Sequence, residues 1–332
     1  MSLPVHLEPS KLGTREYWDE LYTQEIANHT HDPTDTGTAW FDDSDAETKL
    51  LEFLEDPDHA QELGLDTATT SFLDLGTGNG ALLFALRDAG WEGPMLGVDY
   101  SAQSVRFARR IERIRRLPLS DLEERNGDEE ANNQDDARKK DADEEEDGEV
   151  DVHFAEHDIL HSPAQVLLDE RFSPSVRNGW DVILDKGTFD AISLSAETLD
   201  RGNNDNATTN TSAPGATTDA NPTPGSRRVN EAYGARILPL VREGGLFLIT
   251  SCNWTEAELR SWFEADGAVQ EIPTPTSNGN ENESENRNEG QQQAAYWGFE
   301  VVGRVEYRSF SFGGAKGQTI SSLCFRKVRK SR

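Results

Sequence analysis

The segment at positions 73–80, Leu-Asp-Leu-Gly-Thr-Gly-Asn-Gly, constrains the fold of this 332-residue chain more than any other. An apolar run at 71–75 precedes the glycines and a helical pattern at 81–88 follows them, which predicts a strand, a tight turn and a helix. Glycine lets the backbone turn sharply and approach a ligand where a Cβ would obstruct it. A tight turn without a ligand is the alternative interpretation of the glycines alone.

The glycine spacing indicates which ligand to expect. Gly76, Gly78 and Gly80 form Gly-x-Gly-x-Gly, whereas a nicotinamide fingerprint needs Gly-x-Gly-x-x-Gly and position 81 is Ala. Asp99 ends a predicted second strand at 95–98, about 20 residues beyond the loop, where a carboxylate accepts both hydroxyls of a ribose. The pattern favours S-adenosylmethionine as cofactor, with a dinucleotide as the alternative.

The remaining pattern alternates apolar runs with helical periodicity, which predicts an α/β fold. Further strands are expected at 150–154, 180–184 and 245–250, and helices at 102–116 and 229–240. Two alternating runs, 299–307 and 319–328, joined by a loop at 309–317, predict an antiparallel pair at the sheet edge. We therefore expect a Rossmann-like, mostly parallel seven-stranded sheet with helices on both faces and a C-terminal antiparallel hairpin, the class I methyltransferase plan.

Three low-complexity segments, 120–149, 200–227 and 273–293, interrupt this pattern. They contain too few apolar residues to offset the entropy of ordering, so we expect a single domain over 1–332 with three disordered insertions. The first is strongly acidic, and it is either a solvated spacer or a docking segment for a basic partner.

Charge and composition exclude some classes of partner. The chain carries 62 Asp and Glu against 32 Lys and Arg, which disfavours direct nucleic-acid binding and favours a basic partner protein. No apolar run approaches the ~20 residues that span a bilayer, and residues 1–10 do not resemble a signal peptide, so we expect a soluble, intracellular protein. We also expect it to be a monomer. Cys252 and Cys324 lack metal-ligand spacing, and we expect no metal and two core cysteines.

Two acidic positions extend the predicted cofactor site. Asp158 follows the third strand and is expected to accept from an adenine amino group, while Ile159 packs on the ring; a helix cap is the alternative for Asp158. Asp74 precedes the glycine loop, where it would orient backbone amides or receive the amino group of the cofactor.

The acceptor side is expected after the fourth and fifth strands, because ligands bind at the carboxyl ends of strands in open α/β sheets. Asp185 would hold an acceptor ammonium before it loses its proton. The alternative is that Asp185 and Asp190 orient the following turn while Lys186 is solvated. Asn253 follows the fifth strand and would donate to the substrate, or else cap the helix that begins near position 256.

The chain resembles a known family, the eukaryotic translation elongation factor 1-alpha lysine methyltransferases of the methyltransferase-like group. Beyond the glycine loop, the resemblance covers nearly all of the chain outside the insertions and rests on Tyr17-Trp-Asp-Glu-Leu-Tyr22, Trp40-Phe41, Asp185-Lys-Gly-Thr-Phe-Asp-Ala-Ile192, Gly244-Gly-Leu-Phe-Leu-Ile-Thr-Ser-Cys-Asn-Trp254 and Phe310-Ser-Phe-Gly-Gly-Ala-Lys-Gly317. It implies methylation of a lysine ε-amine of the elongation factor in the cytoplasm.

By the same resemblance, the cofactor positions fall on Trp18, Gly76, Asp99, Asp158 and Ile159, and Asp185 lies beside the target lysine. From spacing alone the aromatic pairs at 17–18 and 40–41 would pack helices on the sheet. Fold and cofactor loop do not choose the acceptor, so a methyltransferase for a small molecule or another protein side chain stays open, as does a cofactor-binding scaffold without catalysis.

Overall fold

The computed structural model describes residues 3–117, 151–172, 178–199, 227–264, 270–271, 295–312 and 315–331. The predicted insertions 120–149 and 273–293 lie outside the described residues, as do positions 200–226 of the remaining one. Its neighbours Thr198–Leu199 and Arg227–Arg228 pair as two short antiparallel strands.

Three helices precede the sheet: α1 (Arg15–His31), α2 (Ala46–Glu55) and α3 (Pro57–Leu63). Alternating strands and helices follow: β1 (Phe72–Leu75), α4 (Ala81–Asp88), β2 (Met95–Asp99), α5 (Ala102–Arg116), β3 (His153–Glu156), β4 (Trp180–Lys186), α6 (Thr188–Ser193), β5 (Thr198–Leu199), β6 (Arg227–Arg228), α7 (Asn230–Ile237), β7 (Val241–Ser251) and α8 (Glu256–Phe263). The described chain ends with strands only: β8 (Gln270–Glu271), β9 (Ala295–Val305), β10 (Ser309–Phe312), β11 (Ala315–Gln318) and β12 (Ser321–Ser331).

The main sheet has the strand order β3-β2-β1-β4-β7-β12-β9-β8 among the described residues. Strands β3 to β7 in this order run parallel, and β12 is antiparallel to both β7 and β9. This confirms the predicted mixed seven-stranded sheet, with the two-residue β8 as an extra strand. The antiparallel pair differs in one respect, because β12 lies inside the sheet and only β9 and β8 approach its edge.

Element boundaries differ from the predictions where local pairing overrides the apolar pattern. The third strand begins at His153 because its pairing with β2 runs from His153 to Glu156. The predicted helix at 229–240 ends at Ile237, and a 3₁₀ turn over Leu238–Leu240 contains Pro239, which cannot continue an α-helix. The predicted loop at 309–317 pairs as the two-stranded ribbon β10–β11.

The core has two apolar layers, one on each face of the sheet. Along β4, Val182 and Leu184 pack on one face and Ile183 on the other. Central parallel strands covered by helices on both faces require such continuous apolar runs. Cys324 is buried as predicted, but Cys252 is exposed, because it lies in the turn after β7 and not in the strand.

Within the ranges described, no helix has both the length and the apolar character needed to cross a membrane.

Candidate active site

A cavity of about 250 Å³ opens at the carboxyl ends of β1, β2 and β4. The register brings these ends together, because Leu75 of β1 lies opposite both Val98 of β2 and Asp185 of β4. Of the predicted site residues, those that line the cavity are Trp18, Asp74, Gly76, Gly78, Asp99, Asp158, Ile159 and Asn253. Gly80 and Asp185 do not line it.

The glycine loop has the sharp backbone that its sequence predicts. Gly76, Gly78 and Gly80 have φ of 66°, 60° and 82°, in the left-handed region that disfavours side chains. A Cβ on Gly78 would lie 2.6 Å from the Tyr22 hydroxyl, and one on Gly76 would collide with the Thr188 hydroxyl. Gly80 is the N-cap of α4 and packs against Phe154, on the side of the turn that does not face the cavity.

Asp99 fixes the second side of the cavity from the end of β2. Its carboxylate accepts hydrogen bonds from Gly78 N (3.2 Å), Ser101 N (2.9 Å) and the Ser104 hydroxyl (2.8 Å). Burial raises the pKa of Asp99, and these donors oppose the rise. The carboxylate thus ties the glycine loop to the N-terminus of α5 and presents an acceptor to the cavity.

Asp74 lies beneath the glycine loop, with its side chain buried but still on the cavity wall. Burial raises the pKa of this carboxyl to about 7, and the ammonium of Lys186 works against that rise. The group can therefore exist in either protonation state near neutral pH.

Asp158 begins the loop after β3. Its Oδ1 accepts from Leu160 N at 2.9 Å and His161 N at 3.2 Å, so the side chain caps a turn and no α-helix follows. Ile159 is buried and joins the apolar layer beneath the cavity. The helix cap considered as the alternative is wrong, because Asp158 caps only a turn, and its side chain also lies on the cavity wall.

Aromatic residues close the cavity from the N-terminal side. Trp18 donates through its ring nitrogen to Leu12 O at 2.8 Å and lies 5.2 Å from the Trp40 ring, and both rings line the cavity. Phe41 has φ 65°, an unusual conformation for a bulky residue, and it packs near Gly187 at the end of β4. Trp18 and Phe41 also pack on the core, so each residue both lines the cavity and joins helices to the sheet.

Asp185 has a different environment from the one expected for an ammonium-binding group. It is 1 % exposed. Its oxygens accept from Thr188 N (2.8 Å), Phe189 N (3.1 Å) and the Tyr233 hydroxyl (2.7 Å). Burial raises its pKa to about 7, although the Tyr233 hydroxyl favours the ionised form. These contacts favour the alternative interpretation, in which Asp185 orients the turn into α6 and does not bind the acceptor ammonium.

Asn253 lines the cavity, and the polar groups around it fix its loop. Asp190 accepts from the Ser251 hydroxyl at 2.5 Å and from Cys252 N at 2.8 Å, while Ser251 Oγ accepts from Asn253 N at 3.1 Å. The cap of α8 is Thr255 and not Asn253. The amide of Asn253 is therefore not used as a helix cap.

Several cavity residues were not predicted as site residues. Lys186, expected to be solvated, is only 13 % exposed; its ammonium lies 3.2 Å from Glu47 and donates to Trp40 O at 3.2 Å. His161 and Glu197 also line the cavity. Only the spacing Asp-x-x-His at 158–161 is a signal for His161, whereas Glu47 and Glu197 come close through tertiary folding.

The donor set fits a nucleoside-bearing cofactor. A glycine loop with no room for side chains, a buried carboxylate at the end of β2 and an apolar residue beside Asp158 surround one cavity. In the portions of the chain that the structure describes, no three His, Cys, Asp or Glu residues form a metal-binding group.

Comparisons with known proteins agree with this geometry. A family model described as a methyltransferase domain matches residues 66–143. Protein-lysine N-methyltransferase EFM4 of Saccharomyces cerevisiae is 31% identical, covering 97% of this chain and 96% of its own length. The corresponding efm4 protein of Schizosaccharomyces pombe is 34% identical (81% and 88%), and EEF1A lysine methyltransferase 2 of Homo sapiens is 26% identical (96% and 88%).

Proposed function

The chain belongs to the protein-lysine N-methyltransferase family of EFM4 and EEF1A lysine methyltransferase 2, and we propose that its acceptor is a lysine of translation elongation factor 1-alpha. The observation that carries the proposal is the single cavity that joins the glycine loop and Asp99 to Asn253 and an aromatic wall. One end of it suits a methyl donor and the other suits a long amine side chain.

We assign the cofactor, S-adenosylmethionine, to the end of the cavity between the glycine loop and Asp158. Asp99 would accept from the ribose hydroxyls, because its carboxylate ends β2 and lies on the cavity wall. Asp158 would accept from the adenine amino group while Ile159 contacts the ring. Trp18 and Asp74 would border the amino-acid portion.

When bound, the cofactor would supply a methyl group bonded to a sulfonium: the lone pair of the acceptor amine would attack the methyl carbon in line, the carbon–sulfur bond would break, and the thioether would leave. The chain must therefore hold an uncharged amine in position and exclude water. Trp18, Trp40 and Phe41 provide apolar walls, and aromatic faces stabilise a methylated ammonium. Asn253 would position the amine, and Asp185 would act indirectly by fixing the turn into α6.

The proposed acceptor also accounts for the expected location and partner. A substrate in the translation machinery implies a cytoplasmic enzyme, and a basic protein surface complements a chain with a net charge of −30. We propose that the protein acts as a monomer and recognises the elongation factor itself, without contacting nucleic acid.

The test is methyl transfer in a purified system. The full-length protein is incubated with purified elongation factor 1-alpha and methyl-labelled S-adenosylmethionine, and Asp99→Asn, with its weakened cofactor binding, is the comparison at a limiting cofactor concentration. We expect label on the factor, recovered as methylated lysine after acid hydrolysis. Label recovered as another methylated residue, or no label on the factor, would overturn the acceptor assignment.

A further inference from the structure

The imidazole of His161 lies between two carboxylates at the cavity wall. Nδ1 is 3.0 Å from Asp158 Oδ2, and Nε2 is 2.7 Å from Glu197 Oε1. Asp158 belongs to the loop after β3 and Glu197 to the segment after α6, and all three side chains line the cavity. One side chain therefore connects two loops that belong to different strand–helix units of the sheet.

Both ring nitrogens face an acceptor, so the geometry requires a protonated imidazolium with two N–H donors. The hydrogen bonds to Asp158 and Glu197 raise the pKa of His161 to about 10, although burial opposes the rise. The other charged group at this loop is Arg236 of α7, which donates to Leu160 O. Burial lowers the pKa of His157; the charge of Asp158 opposes this shift, and the charge of Arg236 adds to it.

His161 also determines the orientation of Asp158. With Oδ1 accepting two backbone N–H groups and Oδ2 accepting from the imidazolium, the carboxylate cannot rotate without losing hydrogen bonds. Burial alone would raise the pKa of Asp158, but the hydrogen bond and charge of His161 outweigh burial and lower it. The carboxylate therefore stays ionised and in one orientation.

Glu197 ends a segment that reaches the opposite side of the cavity. Leu194, three residues before Glu197, accepts a backbone hydrogen bond from Ser10 N at 3.0 Å, and Gly13 packs directly on the Leu194–Ser195 backbone. Leu12, Gly13, Leu194, Ser195 and Glu197 all line the cavity. The contacts form a continuous path from the N-terminal segment to the loop of Asp158.

We propose that His161 is a positioning residue for the cofactor: it holds the Asp158 carboxylate at the adenine end and joins that loop to the 194–197 segment. The inference rests on the proposed assignment of Asp158 to adenine. His161 itself acts through Asp158 and Glu197.

The test is the pH dependence of cofactor affinity. S-adenosylmethionine is titrated calorimetrically into the full-length wild type, Glu197→Gln, His161→Gln and Asp158→Asn at pH 6 to 9. In the wild type His161 is protonated throughout this range. Asp74, with a pKa of about 7, titrates in every one of these proteins, so the affinity of each variant is compared with that of the wild type at the same pH. Removing the Glu197 charge lowers the pKa of His161, so Glu197→Gln should bind like the wild type at pH 6 and about tenfold more weakly at pH 9. His161→Gln should bind weakly at every pH.

Controls separate the possible failures. Glu306→Gln, an exposed carboxylate paired with Arg304 outside the cavity, should give the wild-type profile. A Glu197→Gln profile that coincides with the wild type would overturn the positioning function of His161. Unchanged affinity in Asp158→Asn would instead overturn the adenine assignment, and a wild type that binds no S-adenosylmethionine would overturn the cofactor assignment. A weakly binding variant counts only if its unfolding temperature without ligand matches the wild type.

Discussion

Asp99 connects several parts of the proposed cofactor site. It accepts from the glycine loop, from the cap of α5 and from Ser104, and it still borders the cavity. Ser104 Oγ also lies 2.8 Å from Gly78 O, so its one hydroxyl proton is shared between Asp99 and this carbonyl. A carboxylate with these bonds is held in place before a ligand arrives, which lowers the entropic cost of binding.

Asp99→Asn keeps the size of the side chain but removes its charge and one acceptor. Charged hydrogen bonds contribute about 1.5–3 kcal/mol, so affinity for S-adenosylmethionine should fall roughly tenfold to a hundredfold. Calorimetric titration measures the change. Asp88→Asn, at an exposed carboxylate paired with Arg115, is the matched control and should bind normally. Equal affinities in the two variants would contradict the assignment of Asp99.

Asn253→Ala tests the acceptor end. Loss of the amide should reduce kcat/KM for the protein acceptor about tenfold, while the Kd for S-adenosylmethionine stays unchanged, because Asn253 follows β7, which β4 separates from β1 and its glycine loop. Steady-state kinetics with varied acceptor measures the first quantity and calorimetry the second. Asn28→Ala on α1 serves as the control. A loss of cofactor affinity without a change in acceptor kinetics would contradict the assignment of Asn253 to the acceptor end of the cavity.

At the residue scale, the sequence predicted the glycine turn correctly because few other residues adopt its backbone conformation. It did not predict which of two nearby acidic residues, Asp185 or Asp190, borders the cavity. Glycines at a strand–helix turn and an acidic residue at the end of β2 are dictated by backbone geometry. Asp185 and Asp190 lie in one motif, and the turn at Gly187 with φ 91° decides which of them borders the cavity. The Tyr233 hydroxyl donates to Asp185 and the Ser251 hydroxyl donates to Asp190, and both donors lie far from these residues in the sequence.

At the scale of elements, the N-terminal segment at 10–14 forms part of the cavity wall although it does not belong to the sheet. Trp18 holds it through Leu12 O, and Ser10 bonds to Leu194 O. The sheet was predictable from apolar runs, since buried parallel strands need them. The docking of this segment was not, because it depends on a close backbone approach at Gly13 that no local pattern reveals.

Gly13→Ala should move the N-terminal segment at 10–14 away from the 194–197 segment, because a Cβ at position 13 would collide with the Leu194 backbone. We expect weaker cofactor binding, by about tenfold or less, with little change in the denaturant midpoint. Gly64→Ala is the control: its Cβ has free space, and only its φ of 74° disfavours alanine. That variant should lose about 1 kcal/mol of stability and keep its affinity. The reverse pattern would contradict the account of the N-terminal segment.

At the scale of the whole molecule, one sheet edge concentrates buried acids. Burial raises the pKa of Asp74, Asp99, Asp185 and Asp190. The fold tolerates them because each except Asp74 accepts two or more hydrogen bonds from nearby loops. Such a group favours the folded state when protonated, so stability and cofactor chemistry depend on the same carboxyls.

Asp74→Asn tests this coupling. With a folded pKa of about 7 against 3.8 as the ordinary value, Asp74 takes up a proton on folding between these limits. The wild type should therefore gain unfolding free energy relative to the variant as pH falls from about 7 to about 4, on the order of a few kcal/mol, and gain nothing more below that. Urea unfolding at pH 5 and pH 8 measures the difference. Parallel pH dependence in both proteins would contradict the buried titration.

The most direct test of the central claim is mass spectrometry of elongation factor 1-alpha from cells that lack this protein. We expect one lysine of the factor to lose its methylation, and re-expression of the wild type, but not of Asp99→Asn at equal abundance, to restore it. An unchanged methylation pattern at every lysine of the factor would contradict the assignment.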